Sequence, residues 1–449
     1  MEKQFFKFII PSMLTMLLNG LYTIVDGFFI GHAVGDVGLA GIGLVWPITA
    51  VLIALGMGIG VGGSVLMSTY RGAGDDKNAN EARANIFFLL VIAGIFTTVF
   101  FTLFHTIFVK ALGAKGEIYD AAVSYIRIIA IGGSMQIFAS GLLPLIRNNH
   151  QTIEAMLIMG SGLICNIVLD FCFTMVIPMG LAGAAFATIL SQALTVFGCV
   201  FCLSRQKENK VKRSEFKWNF SMVKKIITIG ISPFGLSLMP SLVTVFNNLQ
   251  CLAYGGDFAV AAYSVMNYFL ASVLMLLEGI GEGLQPLFSY FNGAKKYQEM
   301  KKIRNKGLLA IICFSFLFLL LCIPARIALP IIFNTSDETT KIIQNALPII
   351  CIGFPLMGIG KLFISYFYAC GESLFSVMLV YLDPILFTPL CIFTLPRIFG
   401  LKGVWMSSVS VQILIMIILT VCFIMHTIKL KNKETDYAGG NKRTAGGIL

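Results

Sequence analysis

Asn166 and Asp170 stand four residues apart in the apolar run Leu163–Thr174 (LICNIVLDFCFT). At helical pitch this spacing puts the amide and the carboxylate on one face. A carboxylate at the middle of a bilayer costs on the order of 2.5–3.5 kcal/mol on insertion scales. An acid kept there is expected to answer a functional need. Comparable stripes occur in other apolar runs of the first half. Asn19, Tyr22, Thr23 and Asp26 follow i, i+3/4, i+7 spacing, and Thr188 and Gln192 are four apart. If these stripes converge, two carboxylates, an amide oxygen and a hydroxyl form an all-oxygen pocket. Hard cations prefer oxygen ligands, and two close carboxylates can instead hold a proton between them. The pocket therefore admits Na⁺ on Asp26 and Asp170, or H⁺. The other reading of Asn166, Thr188 and Gln192 is a polar network that only locks helices together.

The second half carries a different set. Ser237, Ser241, Thr244 and Asn248 make a neutral stripe, and Asn267, Glu278, Glu282 and Gln285 share a helical face. Glu278 and Glu282 have no Lys or Arg at helical spacing. Met266, Tyr268, Met275, Phe288 and Tyr290 surround them, and acids among aromatic and Met side chains suit lipophilic cations. The other reading is a solvated helix end. Asp383 precedes Pro384 and can pair with Lys361. Arg127 reads as a snorkelling residue, Arg147 as a topological or gating one, and His105 as packing. The C-x-x-C of Cys199 and Cys202 has no second pair and no nearby His, so ordinary packing is expected, with no disulfide framework.

These residues need helices that cross a membrane. Of the 449 residues, 57% are hydrophobic and 12% charged, against about 25% charged in average soluble domains. The class is an all-α polytopic membrane protein. Twelve spans are predicted, near 8–31, 40–68, 85–109, 119–143, 153–177, 181–203, 225–252, 259–290, 306–332, 339–368, 374–396 and 402–428. Pro47, Pro144, Pro233, Pro240 and Pro286 are expected kink sites. The segment from Phe5 is too long for a signal-peptide h-region, so it is expected as an uncleaved first span. With both termini inside, 25 of the 33 Lys and Arg fall on the inner side and six on the outer. That asymmetry predicts a cell-membrane protein with both termini cytoplasmic. The net charge of +11 lies in short loops, which argues against nucleic-acid binding.

The basic stretch 204–224 divides the chain into lobes 1–203 and 225–428, followed by a Gly-rich tail, 429–449, expected to be disordered. The lobes repeat. Gly35–Asp36 falls opposite Gly256–Asp257, Gly72 opposite Gly293, and GLAGAAFATILSQ (Gly180–Gln192) opposite GLKGVWMSSVSVQ (Gly400–Gln412). Gly58–Gly62 falls opposite Gly279–Gly283, with Val61 facing Glu282. All offsets lie between 220 and 222. Six spans per half imply a parallel repeat about an axis along the membrane normal, enclosing a cleft that rocking lobes expose alternately.

VDGFFIG (Val25–Gly31), N-x-x-x-D at Asn166 and Asp170, Thr188, RGAGD (Arg71–Asp75) and FNGAKK (Phe291–Lys296) resemble the multidrug and toxic compound extrusion (MATE) family over residues 5–428. EGLQPLFSYFNGA (Glu282–Ala294) is most similar to its MepA-like bacterial branch. The resemblance implies a cation-coupled antiporter, not an enzyme, that expels organic cations and drugs in exchange for H⁺ or Na⁺. It needs no cofactor beyond the ion, and a monomer in the lipid bilayer is expected. It implies coupling-ion positions at Asp26, Asn166, Asp170 and Thr188. The substrate side of the reading is Glu282, Glu278, Asn267, Gln285, Asn19, Tyr22, Gln192 and Asn248. Two departures stand out: an acid at Asp383 where a basic residue is expected nearby, and NNHQ after Arg147 in place of an Asp-Gly or Gln-Gly turn.

Two other classes compete. A lipid-linked oligosaccharide flippase of related architecture calls for a basic cleft, which this sequence lacks. An intramembrane enzyme needs a nucleophile with a base, or metal ligands. The chain has four His and no H-E-x-x-H.

Overall fold

The structure is a computed structural model that describes residues 2–205 and 216–445. Among them the chain is helical almost throughout. The first lobe comprises α1 (Glu2–Ala33), α2 (Asp36–Gly72), α3 (Asp76–Ala111), α4 (Gly116–Asn148), α5 (Thr152–Asp170) and α6 (Gly180–Ser204). The second comprises α7 (Phe220–Gly293), α8 (Tyr297–Ile332), α9 (Asp337–Cys351), α10 (Phe354–Ala369), α11 (Ser373–Leu382), α12 (Thr388–Phe399) and α13 (Leu401–Ala445). Among the described residues, ten helices are long and apolar enough to cross a membrane. The bent pair α9 and α10, at 48°, counts as an eleventh. α7 breaks at Gly256 (φ 61°, ψ −159°), which makes twelve. Large apolar side chains such as Phe96, Leu103 and Phe197 lie exposed on the outside, as lipid-facing surface does.

The prolines expected to kink the spans lie inside continuous helices. The breaks fall elsewhere: at Gly256, at residues 352–353, and at two π-helical segments, Phe171–Val176 and Asp383–Phe387. A wide π turn inserts one residue and re-aims the side chains around it.

Backbone geometry confirms the repeat. Gly35 and Gly256 have φ 70° and 61°, Gly113 and Asn334 have 90° and 46°, and Gly180 and Gly400 have 59° and 58°. His150 (φ 64°) and Lys295 (φ 56°) fall opposite Gly371 (81°) and Gly74 (75°). Each non-glycine held at positive φ thus has a glycine at its repeat position, so the turn is dictated by the fold and the glycine only makes it easy.

The contacts between lobes obey the same two-fold. α2 presents Gly58 to Gly230 and Phe234, and α7 presents Gly279 to Ser12 and Met13. Gly62 abuts Ile226 and Gly230, and Gly283 abuts Phe8, Ile9 and Ser12. These contacts lie toward the end where α1 begins, α2 ends, and α7 both begins and ends.

The linker expected over 204–224 lies in large part outside the described residues. Its last part is built: Asn85 of α3 donates to the Lys217 carbonyl (3.1 Å) and accepts from the Asn219 amide (3.0 Å). Asn219 then caps α7 by accepting from the Met222 amide at 3.2 Å, so this helix starts at Phe220. The tail expected to be disordered is helical to Ala445.

Candidate functional site

The stripes of the first lobe do converge. On α5, Asn166 and Asp170 share a face and are fully buried. From α1, Asp26 faces Asp170, Asn166 and Thr188. α6 contributes Thr188 and, three residues on, Ser191, both buried. Ser191 Oγ shares a hydrogen bond with Tyr22 OH at 2.5 Å and donates to the Thr188 carbonyl at 2.8 Å. Tyr125 of α4 also faces Asp26, Asp170 and Thr188. The π segment begins one residue after Asp170, and its Thr174 hydroxyl donates to the Asp170 carbonyl at 2.6 Å.

The groups that meet do not satisfy one another. Asp26 Oδ1, both carboxylate oxygens of Asp170, both polar atoms of Asn166 and Thr188 Oγ1 are buried and close no hydrogen bond of ordinary length. An unsatisfied buried polar group costs about 1–3 kcal/mol. Among the described residues no three His, Cys, Asp or Glu side chains gather. Two carboxylates with an amide and a hydroxyl suit a proton or a monovalent hard cation better than a transition metal.

Tyr22 is tied to α6, within this cluster. Gln192 is half-buried and off the cluster; Ser191, at i+3 from Thr188, takes the place expected for it. Asn19 is exposed, beside Gly20, where an added Cβ would meet Met275 Sδ of the second lobe at 2.7 Å.

The acidic face of α7 divides along its length, because the helix passes three different neighbours. Glu282 and Gln285 meet the first lobe. Arg147 Nη2 donates to Glu282 Oε2 at 2.6 Å, and both side chains are almost fully buried. Tyr368 OH donates to Glu282 Oε1 at 3.0 Å. Gln285 and Asn148 exchange amide hydrogen bonds of 2.9 and 3.2 Å. Both residues were expected to line an open substrate cleft; in this conformation they are occupied at the seam. Glu278 pairs with Lys361 of α10 at 2.8 Å. The sequence reading paired Lys361 with Asp383, but Asp383 accepts from Thr388 Oγ1 (2.8 Å) and Gln412 Nε2 (3.0 Å).

Asn267 lines a cavity of about 240 Å³ inside the second lobe, with Asn247, Lys361, Asp383, Thr388 and Gln412 among its polar walls. Most of the remaining wall is apolar. Of the neighbouring pair, Asn247 lines this cavity and Asn248, expected to face substrate, does not. The sequence reading did not find Tyr125, Ser191 or Tyr368. Only Tyr368 carried a signal: it lies opposite Arg147 in the repeat.

A family model described as MatE matches residues 11–172 and 236–393. The chain is 25% identical over 405 residues to the multidrug export protein MepA of Staphylococcus haemolyticus, covering 90% of this chain and 88% of that protein. It superposes with a TM-score of 0.91 on the crystal structure of MATE in complex with MaL6, at 23% identity over 96% of this chain and 97% of that one. An outward-facing multidrug resistance MATE family transporter of the MOP superfamily gives 0.91 at 22% identity, covering 96% of each chain. These likenesses to solved structures establish the twelve-span fold.

Proposed function

Because this chain belongs to the MatE family of transporters, we propose that it is a secondary multidrug exporter that exchanges cationic amphipathic compounds for H⁺ or Na⁺ by alternating access. The observation that carries the coupling is the first-lobe cluster. Six polar atoms of Asp26, Asn166, Asp170 and Thr188 are buried together within reach of one another and close no well-formed hydrogen bond. A group in that state gains from a proton or a cation inserted between the two carboxylates.

The sidedness follows from charge. Lys and Arg concentrate on the side of the termini, which supports a cytoplasmic position for that side and a cell-membrane location. The lobes touch at that end, so this conformer corresponds to the outward-facing one. In the proposed cycle the ion enters from outside and occupies Asp26 and Asp170. Occupancy changes how α1 packs on α5 and α6 and weakens drug binding. Drug leaves outward, and the ion leaves inward after the lobes rock. Coupling of this kind needs the ion to bind one state better than the other.

On the substrate side, the second-lobe cavity supplies apolar walls with Asn247, Asn267 and Asp383 as polar anchors, a composition typical of small-molecule sites. Glu278, neutralised by Lys361, contributes through that pair. The protein is proposed to work as a monomer.

Proteoliposomes loaded with a fluorescent organic cation test this reading. A Na⁺ gradient and a pH gradient are imposed separately. Transport driven by one of them identifies the ion, and transport driven by neither removes the antiport mechanism.

A further inference from the structure

Glu282 is an acid at the contact between the lobes, and its two partners come from different bodies. Tyr368, on α10, belongs to the same lobe as Glu282; Arg147, on α4, belongs to the other. Arg147 and Tyr368 occupy equivalent positions of the repeat, while the position equivalent to Glu282 is Val61. The acid therefore sits beside the pseudo-two-fold axis, flanked by two equivalent residues of which one is a cation.

We infer that Glu282 exchanges partners during transport, holding Arg147 in this conformer and the organic cation to be exported when the lobes part at this end. The inference rests on the transport reading. Parting the lobes carries Arg147 away with Asn148 and leaves Glu282 with Tyr368. A carboxylate in a low-dielectric wall that has lost its counter-ion attracts another strongly. The surface beside it is shaped for a ligand. On α7, Gly279 and Gly283 flank Glu282 and now lie against Met13, Ser12 and Phe8 of α1. Withdrawal of α1 bares two residues without side chains, one turn apart on the helix face next to the acid. The ring of Tyr368 reaches the acid through its hydroxyl at 3.0 Å, and His150, three residues after Arg147, meets Phe8 edge-on at 5.5 Å and Tyr290 at 5.9 Å. An acid beside bare backbone and rings selects a lipophilic monovalent cation over a small hydrated one.

This role differs from that of a latch. A latch alone makes Arg147 and Glu282 equivalent: removing either charge opens the seam, with the same consequence for ligand. Partner exchange makes them opposite. The test uses the full-length protein in lipid nanodiscs with tetraphenylphosphonium as the probe, comparing Arg147→Gln, Glu282→Gln and the double variant. Seam opening is read by hydrogen exchange over residues 58–72 and 279–293, and affinity by equilibrium binding. All three variants are expected to speed exchange over those residues, by about tenfold. Arg147→Gln is expected to bind the probe at least about fivefold tighter than wild type, because the protein's own cation no longer competes. The double variant is expected to lose that gain. It has the same open seam, so the comparison isolates the Glu282 carboxylate and does not require Glu282→Gln to fold. Equal binding by Arg147→Gln and the double variant overturns the inference, as does unchanged exchange in all three. Failure of wild-type proteoliposomes to move tetraphenylphosphonium would instead count against the transport reading.

Discussion

Gly293 lies so close to Thr69 that a Cβ on the glycine would overlap the threonine carbonyl oxygen, and across the pseudo-two-fold Gly72 meets the Tyr290 carbonyl in the same way. Backbone meets backbone at both places, so neither neighbour can rotate aside. Gly293→Ala or Gly72→Ala should therefore destabilise the closed seam by about 1–3 kcal/mol, the usual cost of overpacking. Gly27 and Gly43 have nothing within 4 Å of a built Cβ and serve as controls. Hydrogen exchange over 58–72 should rise in the first pair of variants and stay at the wild-type rate in the second.

Asp26→Asn and Asp170→Asn should each lower efflux of a fluorescent organic cation from cells by about tenfold or more, with Thr188→Ala a weaker case. Their effect on stability has the opposite sign to that of an ordinary core substitution. Oxygens of both carboxylates are buried side by side without well-formed hydrogen bonds, so replacing either relieves the repulsion and desolvation of a close acid pair. The melting temperature of the purified variants should hold or rise. A fall of several degrees would mean that the cluster is a structural network.

Asp75 caps α3 by accepting from the Asn78 side chain (2.6 Å) and the Asn78 amide (3.1 Å). These bonds, the side-chain one foremost, hold its carboxyl below the usual range. Its folded pKa lies under the unfolded one, so the cap's stabilisation is complete above the unfolded value of about 3.9 and is lost as pH falls through the folded one. Asp75→Ala should cost about 1 kcal/mol at neutral pH. Read as the ratio of variant to wild-type hydrogen exchange in the first turn of α3, the difference should disappear in acid.

Gly360 lines the second-lobe cavity, and a Cβ added there meets nothing within 4 Å. Gly360→Leu places a side chain into open space. It also replaces a poor helix former with a good one inside α10, a gain of up to about 1 kcal/mol. The variant should fold as well as wild type or better. If the cavity takes substrate, transport of bulky cations should fall several-fold while that of small ones changes less. Equal transport of both classes would remove the cavity from the substrate route.

Composition and periodicity alone determine the membrane class, the twelve spans and the two-lobe repeat. Each depends on local chain properties: the run length needed to cross hydrocarbon, the helical period, and a constant offset between like segments. The first-lobe cluster was legible for the same reason, since Asn166 and Asp170 share a face by spacing alone. Helical spacing cannot tell what a face will meet. Asn267, Glu278, Glu282 and Gln285 lie along one side of α7, yet one lines a cavity, one pairs with Lys361 and two join the opposite lobe. The two partners of Glu282 are 135 and 86 residues away. Only the packing of α4 and α10 around α7, which no local pattern encodes, determines that this acid is bound at the seam and is not free in a cleft.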